Sequence, residues 1–250
     1  MNRPTLSVII ITKNEAALIE RCLKSIIWAD EIIVLDSGST DRTVEICKEY
    51  KATVITTDWP GYGPQKNRAL EMATGDWILS IDADETVSTE LANEIQKKIQ
   101  LATLDQQVFL LKRLSSLMGK PMRHGDWWPD QIPRLFRRGQ AKFSNDLVHE
   151  RLEFIAKTKT LENLLIHDSI RSIDQMIQKM NQYTTAGAQK LLIRKKTGGL
   201  RKAILHGGWA VLRSYIIKRG FLDGREGLIA AISAGESAYY KYLKAYYKNE

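Results

Sequence analysis

Residues 77–85 read WILSIDADE, an apolar run that leads directly into a cluster of carboxylates. In an open α/β sheet, ligands bind outside the carboxyl ends of the strands, so acidic side chains there suit a divalent cation and an anionic ligand. Asp82 and Asp84 point the same way if the strand pattern continues. Alternatively, Asp84, Glu85 and Thr86 begin a helix and stabilise its first turn. The sequence that precedes this stretch decides between the two interpretations.

Residues 1–85 alternate between strand patterns and helix patterns. The first strand pattern, Leu6-Ser7-Val8-Ile9-Ile10-Ile11, is a continuous apolar run typical of a strand covered on both faces. Further strands are predicted at residues 32–35, 53–55 and 77–81, and helices at residues 15–27, around 44–47 and at 66–73. This alternation predicts an α/β fold with a parallel sheet.

Two common nucleotide-binding loops are missing from this framework. The first strand is followed by Thr12-Lys13-Asn14-Glu15, which lacks the glycines of a dinucleotide-binding turn. The chain also contains no phosphate-binding loop that ends in Gly-Lys-Ser or Gly-Lys-Thr. These absences argue against hydride transfer and ATP hydrolysis. The polar side chains at the strand ends can still hold a nucleoside, with a metal on its phosphates.

Four motifs in this order resemble the nucleotide-sugar-binding half of the inverting family 2 glycosyltransferases. They are SVIIITKNE (7–15), DSGSTD (36–41), KNRAL (66–70) and DADE (82–85). Three later segments resemble the branch that builds the bacterial lipopolysaccharide inner core, namely PRLFRR (133–138), VHER (148–151) and FLDG (221–224). The resemblance implies a single GT-A type domain with a mostly parallel central sheet. It also implies metal-dependent transfer of a hexose, with UDP-glucose as the favoured donor, to an inner-core heptose.

The resemblance also implies roles for individual residues. The nucleotide-sugar would contact Thr12, Asn14, Glu15, Asp36, Lys66, Asp82 and Ala83. Asp84 would bind a Mg²⁺ or Mn²⁺ ion that also binds the diphosphate of the donor. His167 follows the apolar run Leu164–Ile166 and is the second candidate metal ligand, although a lone histidine at the end of an apolar run is more often a structural, hydrogen-bonded residue. Ser37 stands where many family members carry a second aspartate.

An inverting transfer needs a carboxylate that accepts the proton of the acceptor hydroxyl. Glu150 is the first candidate for this base and Asp126 the second, while a surface pair between Glu150 and Arg151 is the structural alternative. The candidate acceptor-binding residues are aromatic, basic or imidazole side chains close to these carboxylates in sequence. They are Trp127, Trp128, Arg134 and His149. One of the two tryptophans can instead fill the core.

Positive charge is concentrated in the second part of the chain. The net charge is +8, and residues 151–250 carry 18 Lys+Arg against 8 Asp+Glu, whereas residues 1–150 carry 19 against 21. We therefore expect a catalytic domain at 1–170, with a nucleotide-binding half at 1–85 and an acceptor half at 86–170. A basic helical extension would occupy 171–250. Its cations favour a phosphorylated glycolipid or an anionic membrane surface, with a solvated helix face as the alternative. No nucleic-acid-reading module is present, so no nucleic acid partner is expected.

Other features of the sequence predict where in the cell the protein works. No stretch of 18 apolar residues occurs and a strand pattern begins at Leu6, so neither a transmembrane span nor a signal peptide is expected. Cys22 and Cys47 lie on apolar helix faces and are expected to be buried thiols in a reducing compartment. These features predict a cytoplasmic enzyme at the periphery of the inner membrane. The alternatives are a polyisoprenyl-phosphate sugar transferase and a nucleotide-sugar-binding regulator without turnover.

Overall fold

A computed structural model of the chain describes residues 3–103, 105–145 and 150–248. The strands are β1 (Leu6–Thr12), β2 (Glu31–Asp36), β3 (Thr53–Thr56), β4 (Trp77–Ser80), β5 (Glu85–Val87), β6 (Val108–Leu117), β7 (Lys120–Pro121), β8 (Gln131–Arg137), β9 (Ala141–Phe143), β10 (Leu152–Phe154) and β11 (Thr158–Ile170). The helices are α1 (Ile19–Lys24), α2 (Thr43–Glu49), α3 (Tyr62–Met72), α4 (Thr89–Leu101), α5 (Ile173–Ile193), α6 (Leu200–Leu212) and α7 (Gly224–Tyr247). Short 3₁₀ turns occur at Gly125–Trp127 and Gly220–Asp223, and a π-helical turn at Arg213–Ile217.

The first four strands form the parallel part of the central sheet, in the order β3-β2-β1-β4. Every residue of β1 is buried, which explains why this strand lacks the alternation of a half-exposed strand. The register places Thr12 at the end of β1 beside Asp36 at the end of β2. The carboxyl ends of these strands therefore bring together the polar residues that follow them.

Antiparallel strands extend the sheet beyond β4 in the order β8, β6, β11 and β5, and β7 pairs with β6. The predicted α/β class with a central sheet and a helical C-terminal region is confirmed. The stretch after β4 does not begin a helix at Asp84, because Glu85–Val87 pairs with β11. The next helix, α4, begins later, and the Ser88 side chain caps it by accepting a hydrogen bond from the Leu91 amide.

Helices cover both faces of this sheet. Apolar side chains of α1, α2 and α4 pack into one buried cluster with Trp77 and Phe109, and those of α3 pack into another with Phe136 and Phe143. Cys22 and Cys47 are free, buried thiols, as predicted. Burial raises the pKa of the Cys47 thiol to about 11. Both cysteines therefore serve as small apolar core residues.

The described residues form two compact units. The first comprises Met1–Arg113 and Gln131–His167, and the second Leu114–Asp130 and Asp168–Glu250. The predicted boundary between residues 170 and 171 lies three residues from this division, whereas the segment Leu114–Asp130 groups with the helices. The assignment of catalytic and acceptor functions to these parts remains a prediction.

The second unit is built mainly from α5, α6 and α7. Small residues allow α6 and α7 to approach closely, since a Cβ added at Gly207 would lie 3.1 Å from the Gly235 carbonyl oxygen. Among the helices of the described ranges, none is both long enough and apolar enough to cross a membrane.

Candidate active site

The loops after β1 and β2 are held together by their own polar side chains. The Asp36 carboxylate accepts hydrogen bonds from the amides of Gly38 and Ser39, both at 2.9 Å, and from the Ser39 hydroxyl. The side-chain Oδ1 of Asn14 accepts from the backbone amide of Thr40 at 2.8 Å, and the backbone amide of Asn14 donates to Ser39 Oγ at 2.8 Å. The predicted nucleotide contacts Asn14 and Asp36 therefore lie in one ordered pair of loops.

Two buried hydroxyl groups in the parallel part of the sheet lack a hydrogen-bond partner within the described ranges. Thr12 Oγ1 and Ser80 Oγ are buried and have no hydrogen-bond partner among the residues that the structure describes. Buried polar atoms normally have a partner, so an unpaired one calls for an explanation. Because Thr12 and Ser80 end their strands at the carboxyl edge, a polar ligand at this edge would supply that partner.

The first carboxylate of the acidic motif is held by two cations. Asp82 Oδ1 lies 3.0 Å from Lys66 Nζ, and Asp82 Oδ2 accepts from Arg134 Nη2. Burial alone would raise the pKa of Asp82, but Arg134 and Lys66 hold that pKa well below its ordinary value. Asp82 is therefore ionised at neutral pH, and its orientation is fixed before any ligand binds.

Arg134 is central to a buried ion cluster. Its Nη2 also lies 3.0 Å from Glu85 Oε1, and the Glu85 side chain is fully buried. Arg113 Nη1 approaches the same oxygen at 3.2 Å, while Glu85 Oε2 accepts from the Asp82 amide at 2.9 Å. The two carboxylates raise the pKa of Arg134 above its ordinary value, against the effect of burial. The structure thus directs this guanidinium towards the acidic motif, and acceptor binding by Arg134 remains a prediction.

Lys66 connects the acidic motif to the candidate base. The Lys66 side chain is 4% exposed, and its Nζ lies 2.8 Å from Glu150 Oε1 as well as 3.0 Å from Asp82. The structure therefore gives Glu150 an intramolecular cation from α3. Its carboxylate is largely buried, at 18% exposure, which does not fit the alternative of a solvated surface pair.

Three features of the chain position Glu150. Strand β9 precedes Glu150 and its antiparallel partner β10 follows it. Beside Glu150, the Ser144 amide donates to the Arg151 carbonyl, and the Arg151 amide donates to Ser144 Oγ. The Asn67 amide group donates to the Phe143 carbonyl and accepts from the Phe143 amide, both at 2.8 Å. At Gly63 an added Cβ would lie 1.8 Å from the Ser144 carbonyl oxygen. Only glycine at this position lets α3 approach the segment that carries the candidate base.

The two candidate metal ligands are neighbours. His167 lies on β11 opposite Glu85 on β5, and His167 Nε2 is 3.4 Å from Asp84 Oδ2. An imidazole nitrogen and a carboxylate oxygen at this separation fit two positions of a Mn²⁺ or Mg²⁺ coordination sphere. Within the described ranges, no group of three or more such side chains comes together. Further ligands would therefore come from the diphosphate or from water.

Asp126 lies in the second unit. It forms ion pairs with Arg213 Nη2 and Lys218 Nζ, both at 2.8 Å. Burial raises the pKa of Asp126, but hydrogen bonds from Lys218 and Arg213 outweigh this effect and lower it below its ordinary value. These contacts explain Asp126 as a structural residue, because its ion pairs link the 3₁₀ turn to the π-helical turn.

The remaining acceptor-binding candidates have mixed positions. Trp127 packs beside Leu117, Met122 and Ala230 in the core of the second unit, and Trp128 is partly exposed. His149 lies outside the described residues. Of the other nucleotide-binding candidates, Ala83 is a buried core residue, and the Glu15 amide donates to Thr43 Oγ1 at 2.8 Å.

Sequence reasoning missed Gly63, Ser80 and Arg113 as parts of the site. Gly63 was visible as part of an irregular Gly- and Pro-containing segment, although nothing local indicated which backbone it would face. Ser80 was a polar residue in an otherwise apolar strand. Arg113 lies on β6, and no local pattern identified Glu85 as its partner.

The sequence of this chain is similar to those of known glycosyltransferases. Residues 7–149 match glycosyl transferase family 2. An uncharacterized glycosyltransferase of Rickettsia prowazekii is 34% identical over 244 residues, which cover 91% of this chain and 82% of the relative. The lipopolysaccharide core biosynthesis glycosyltransferase LpsC of Rhizobium meliloti is 28% identical over 98% of this chain and 93% of its own length.

A solved structure also shows local similarity. Glucosyl-3-phosphoglycerate synthase of Mycobacterium tuberculosis, in complex with Mn²⁺, UDP and glucosyl-3-phosphoglycerate, is 30% identical with a TM-score of 0.38. The similarity covers 45% of this chain and 44% of that one. The family match spans more than half of the chain, and the Rickettsia relative aligns over nearly all of it. The chain belongs to glycosyl transferase family 2.

Proposed function

We propose that the protein is an inverting glycosyltransferase that moves a hexose from a UDP-sugar to a phosphorylated glycolipid. The observation that carries this proposal is the bridge made by Lys66. This buried ammonium contacts both Asp82 of the acidic motif and Glu150, the candidate base. A donor held at the acidic motif would therefore have a carboxylate close to its reacting end.

The donor would bind at the carboxyl edge of the parallel strands. The unpaired hydroxyls of Thr12 and Ser80 and the ordered loops around Asn14 and Asp36 offer hydrogen bonds to a nucleoside. Asp84 and His167 would hold a divalent cation beside the diphosphate. When bound, such a cation neutralises the charge that develops on the leaving diphosphate.

The chemical step assigned to Glu150 is proton acceptance. The acceptor hydroxyl oxygen attacks the anomeric carbon while the bond from that carbon to the diphosphate oxygen breaks, so the configuration inverts. The hydroxyl proton passes to the Glu150 carboxylate. Lys66 keeps that carboxylate oriented through its contact with Oε1. Because Lys66 also contacts Asp82, the same side chain would position both the carboxylate at the donor site and the candidate base.

The lipopolysaccharide inner core is the favoured acceptor, with a heptose as the attacking sugar. Support comes from the relative named as a lipopolysaccharide core biosynthesis glycosyltransferase, which aligns over almost the whole chain. Such an acceptor is anchored in a lipid layer, so the protein would act at the cytoplasmic face of the inner membrane. The basic residues of the C-terminal helices favour contact with that anionic surface.

UDP is expected to stabilise the protein against thermal unfolding, and to do so more strongly with Mn²⁺ or Mg²⁺ present. The cation offsets the repulsion between Asp84 and the diphosphate. A ligand that binds only the folded state at 100 times its Kd adds about 2.7 kcal/mol to the free energy of unfolding. Differential scanning fluorimetry with UDP, UDP-glucose and other nucleotide-sugars measures this shift.

Asp84→Ala should remove the metal-dependent part of the shift and retain the metal-independent part. Asp105→Ala, which changes an exposed carboxylate, is the matched control and should behave like the unchanged protein. No shift with any UDP compound, with or without metal, would contradict the donor assignment. An unchanged metal-dependent shift in Asp84→Ala would place the cation elsewhere.

The two alternatives can be separated by turnover. Metal-dependent hydrolysis of the donor would exclude a regulator without turnover. Transfer to heptose-containing inner-core acceptors, and not to polyisoprenyl phosphate, would then distinguish the proposed function from the rival sugar transferase. Transfer to polyisoprenyl phosphate alone would contradict the proposed acceptor.

A further inference from the structure

The segment from α6 to the second 3₁₀ turn has an unusual distribution of side chains. Nine large apolar side chains between Leu200 and Leu222 are at least 46% exposed. The residues that the same segment buries are small, and include Ala203, Gly207 and Ser214. A helix that packs only against its own protein normally buries its large apolar residues. The outward face of this segment is therefore suited to an apolar environment outside the chain.

The exposed residues of α6 form a continuous stripe. Leu205, Trp209 and Leu212 follow the i, i+4, i+7 spacing of one helix face and are 72%, 53% and 48% exposed. Ile216 and Phe221 continue the apolar exposure through the π-helical and 3₁₀ turns. Tryptophan is enriched where an apolar phase meets water, because its ring is apolar and its N–H can hydrogen-bond.

The charged residues of the segment that carries this stripe are all basic. Residues 175–222 contain ten Lys or Arg residues and no Asp or Glu. The basic residues nearest the stripe, Arg201, Lys202, Arg213, Lys218 and Arg219, are all exposed, and only Arg213 and Lys218 are seen to pair with Asp126. Two copies of this face would repel each other, whereas an anionic lipid surface would attract it.

We propose that residues 200–222 form an interfacial membrane-binding surface. The apolar side chains of the stripe enter the boundary between head groups and acyl chains, and the flanking Lys and Arg side chains bind lipid phosphates. This inference gives the membrane contact of the proposed function a location and a mode, and it rests on that part of the proposed function. It adds hydrophobic insertion to the electrostatic attraction that the net charge alone predicts.

The test is co-sedimentation of the full chain with vesicles of phosphatidylcholine alone or of equal parts phosphatidylcholine and phosphatidylglycerol. The triple variant Leu205→Gln, Trp209→Gln, Leu212→Gln should bind the anionic vesicles at least roughly 100-fold more weakly. The matched control replaces three other exposed apolar residues, Ile27, Leu101 and Ile155, by Gln and should bind like the unchanged chain. The quadruple variant of Lys195, Lys196, Arg201 and Lys202 to Gln should lose roughly five-fold per charge, and only on anionic vesicles.

A second measurement does not depend on the folding of the triple variant. Brominated acyl chains should quench tryptophan fluorescence of the unchanged chain, and Trp209→Phe should remove most of the quenching. Each variant must also keep the UDP-dependent thermal shift, so that loss of lipid binding is separated from loss of the donor site.

The remaining outcomes have distinct meanings. Full binding by the triple variant, or quenching that survives Trp209→Phe, would overturn insertion while leaving electrostatic attachment intact. An unchanged chain that binds neither vesicle would overturn the membrane contact altogether, although glycosyl transfer measured with a soluble acceptor would stand. Sedimentation that shows a dimer broken by the triple variant, without lipid binding, would assign the stripe to a second copy of the chain and overturn the inference.

Discussion

Glu150→Gln is expected to lower sugar transfer by roughly 10²–10⁴-fold, which is the usual contribution of a general base. Glutamine keeps the shape of the side chain and an oxygen that can accept from Lys66 Nζ, now 2.8 Å from Glu150 Oε1. It cannot take up the proton of the acceptor hydroxyl. The measurement is the rate of transfer at saturating donor and acceptor, alongside donor affinity by titration calorimetry, which should stay near that of the unchanged protein.

Asp126→Asn is the matched comparison, because it makes the same chemical change at the second candidate base. Its carboxylate pairs with Arg213 and Lys218 within the helical unit, so we expect the change to affect stability more than the chemical step. If Glu150→Gln retains most of its activity and Asp126→Asn loses it, the base is Asp126. Loss of donor binding in Glu150→Gln would instead indicate a structural role, since a base that acts on the acceptor does not hold the donor.

The parallel part of the fold could be predicted because its signals are local. A buried strand such as β1 is largely an apolar run, and its end is marked by the polar residues Thr12, Lys13 and Asn14. The carboxyl ends of parallel strands meet at one edge, so a sequence position translates directly into a place in the site. Thr12 and Asp36 are indeed neighbours in the register.

Helix boundaries were less predictable. The apolar pattern indicated a helix at residues 15–27, whereas α1 spans Ile19–Lys24. The residues before it form turns, in which the amides of Leu18 and Ile19 both donate to the Glu15 carbonyl. Apolar periodicity reports which side chains face the core, and a short turn can satisfy it as well as a helix.

The partners of the charged residues could not be predicted, because they are distant in sequence. Arg134 lies on β8, and nothing in its local sequence indicates that its neighbours in space are carboxylates about fifty residues earlier. Lys66 and Glu150 are separated by 84 positions. Only the antiparallel strands beyond β4 and the close approach at Gly63 bring these groups together, and neither leaves a signature in the local sequence.

Arg134→Met is expected to destabilise the protein by about 3–5 kcal/mol, the usual cost of removing one partner from a buried ion pair. Glu85 is fully buried; of the cations in the described ranges, Glu85 would keep Arg113 and Asp82 would keep Lys66. Because Arg113 and Lys66 still pair with these carboxylates, the loss of unfolding free energy should lie near the lower end of that range. The free energy of unfolding from urea denaturation, followed by tryptophan fluorescence, measures the effect.

Lys112→Met is the matched control for this change, since it removes a cation from the neighbouring strand β6. Its partner Glu162 is 76% exposed, and such surface pairs contribute about 0–1 kcal/mol. Arg134→Lys keeps the charge, but the lysine side chain is shorter and does not place an ammonium where Arg134 Nη2 contacts both Asp82 and Glu85, so its stability should lie between the two. If Arg134→Met is as stable as Lys112→Met but no longer transfers sugar to the acceptor, the guanidinium is not needed to hold the acidic motif. Its role would then be the acceptor contact that the sequence pattern predicts.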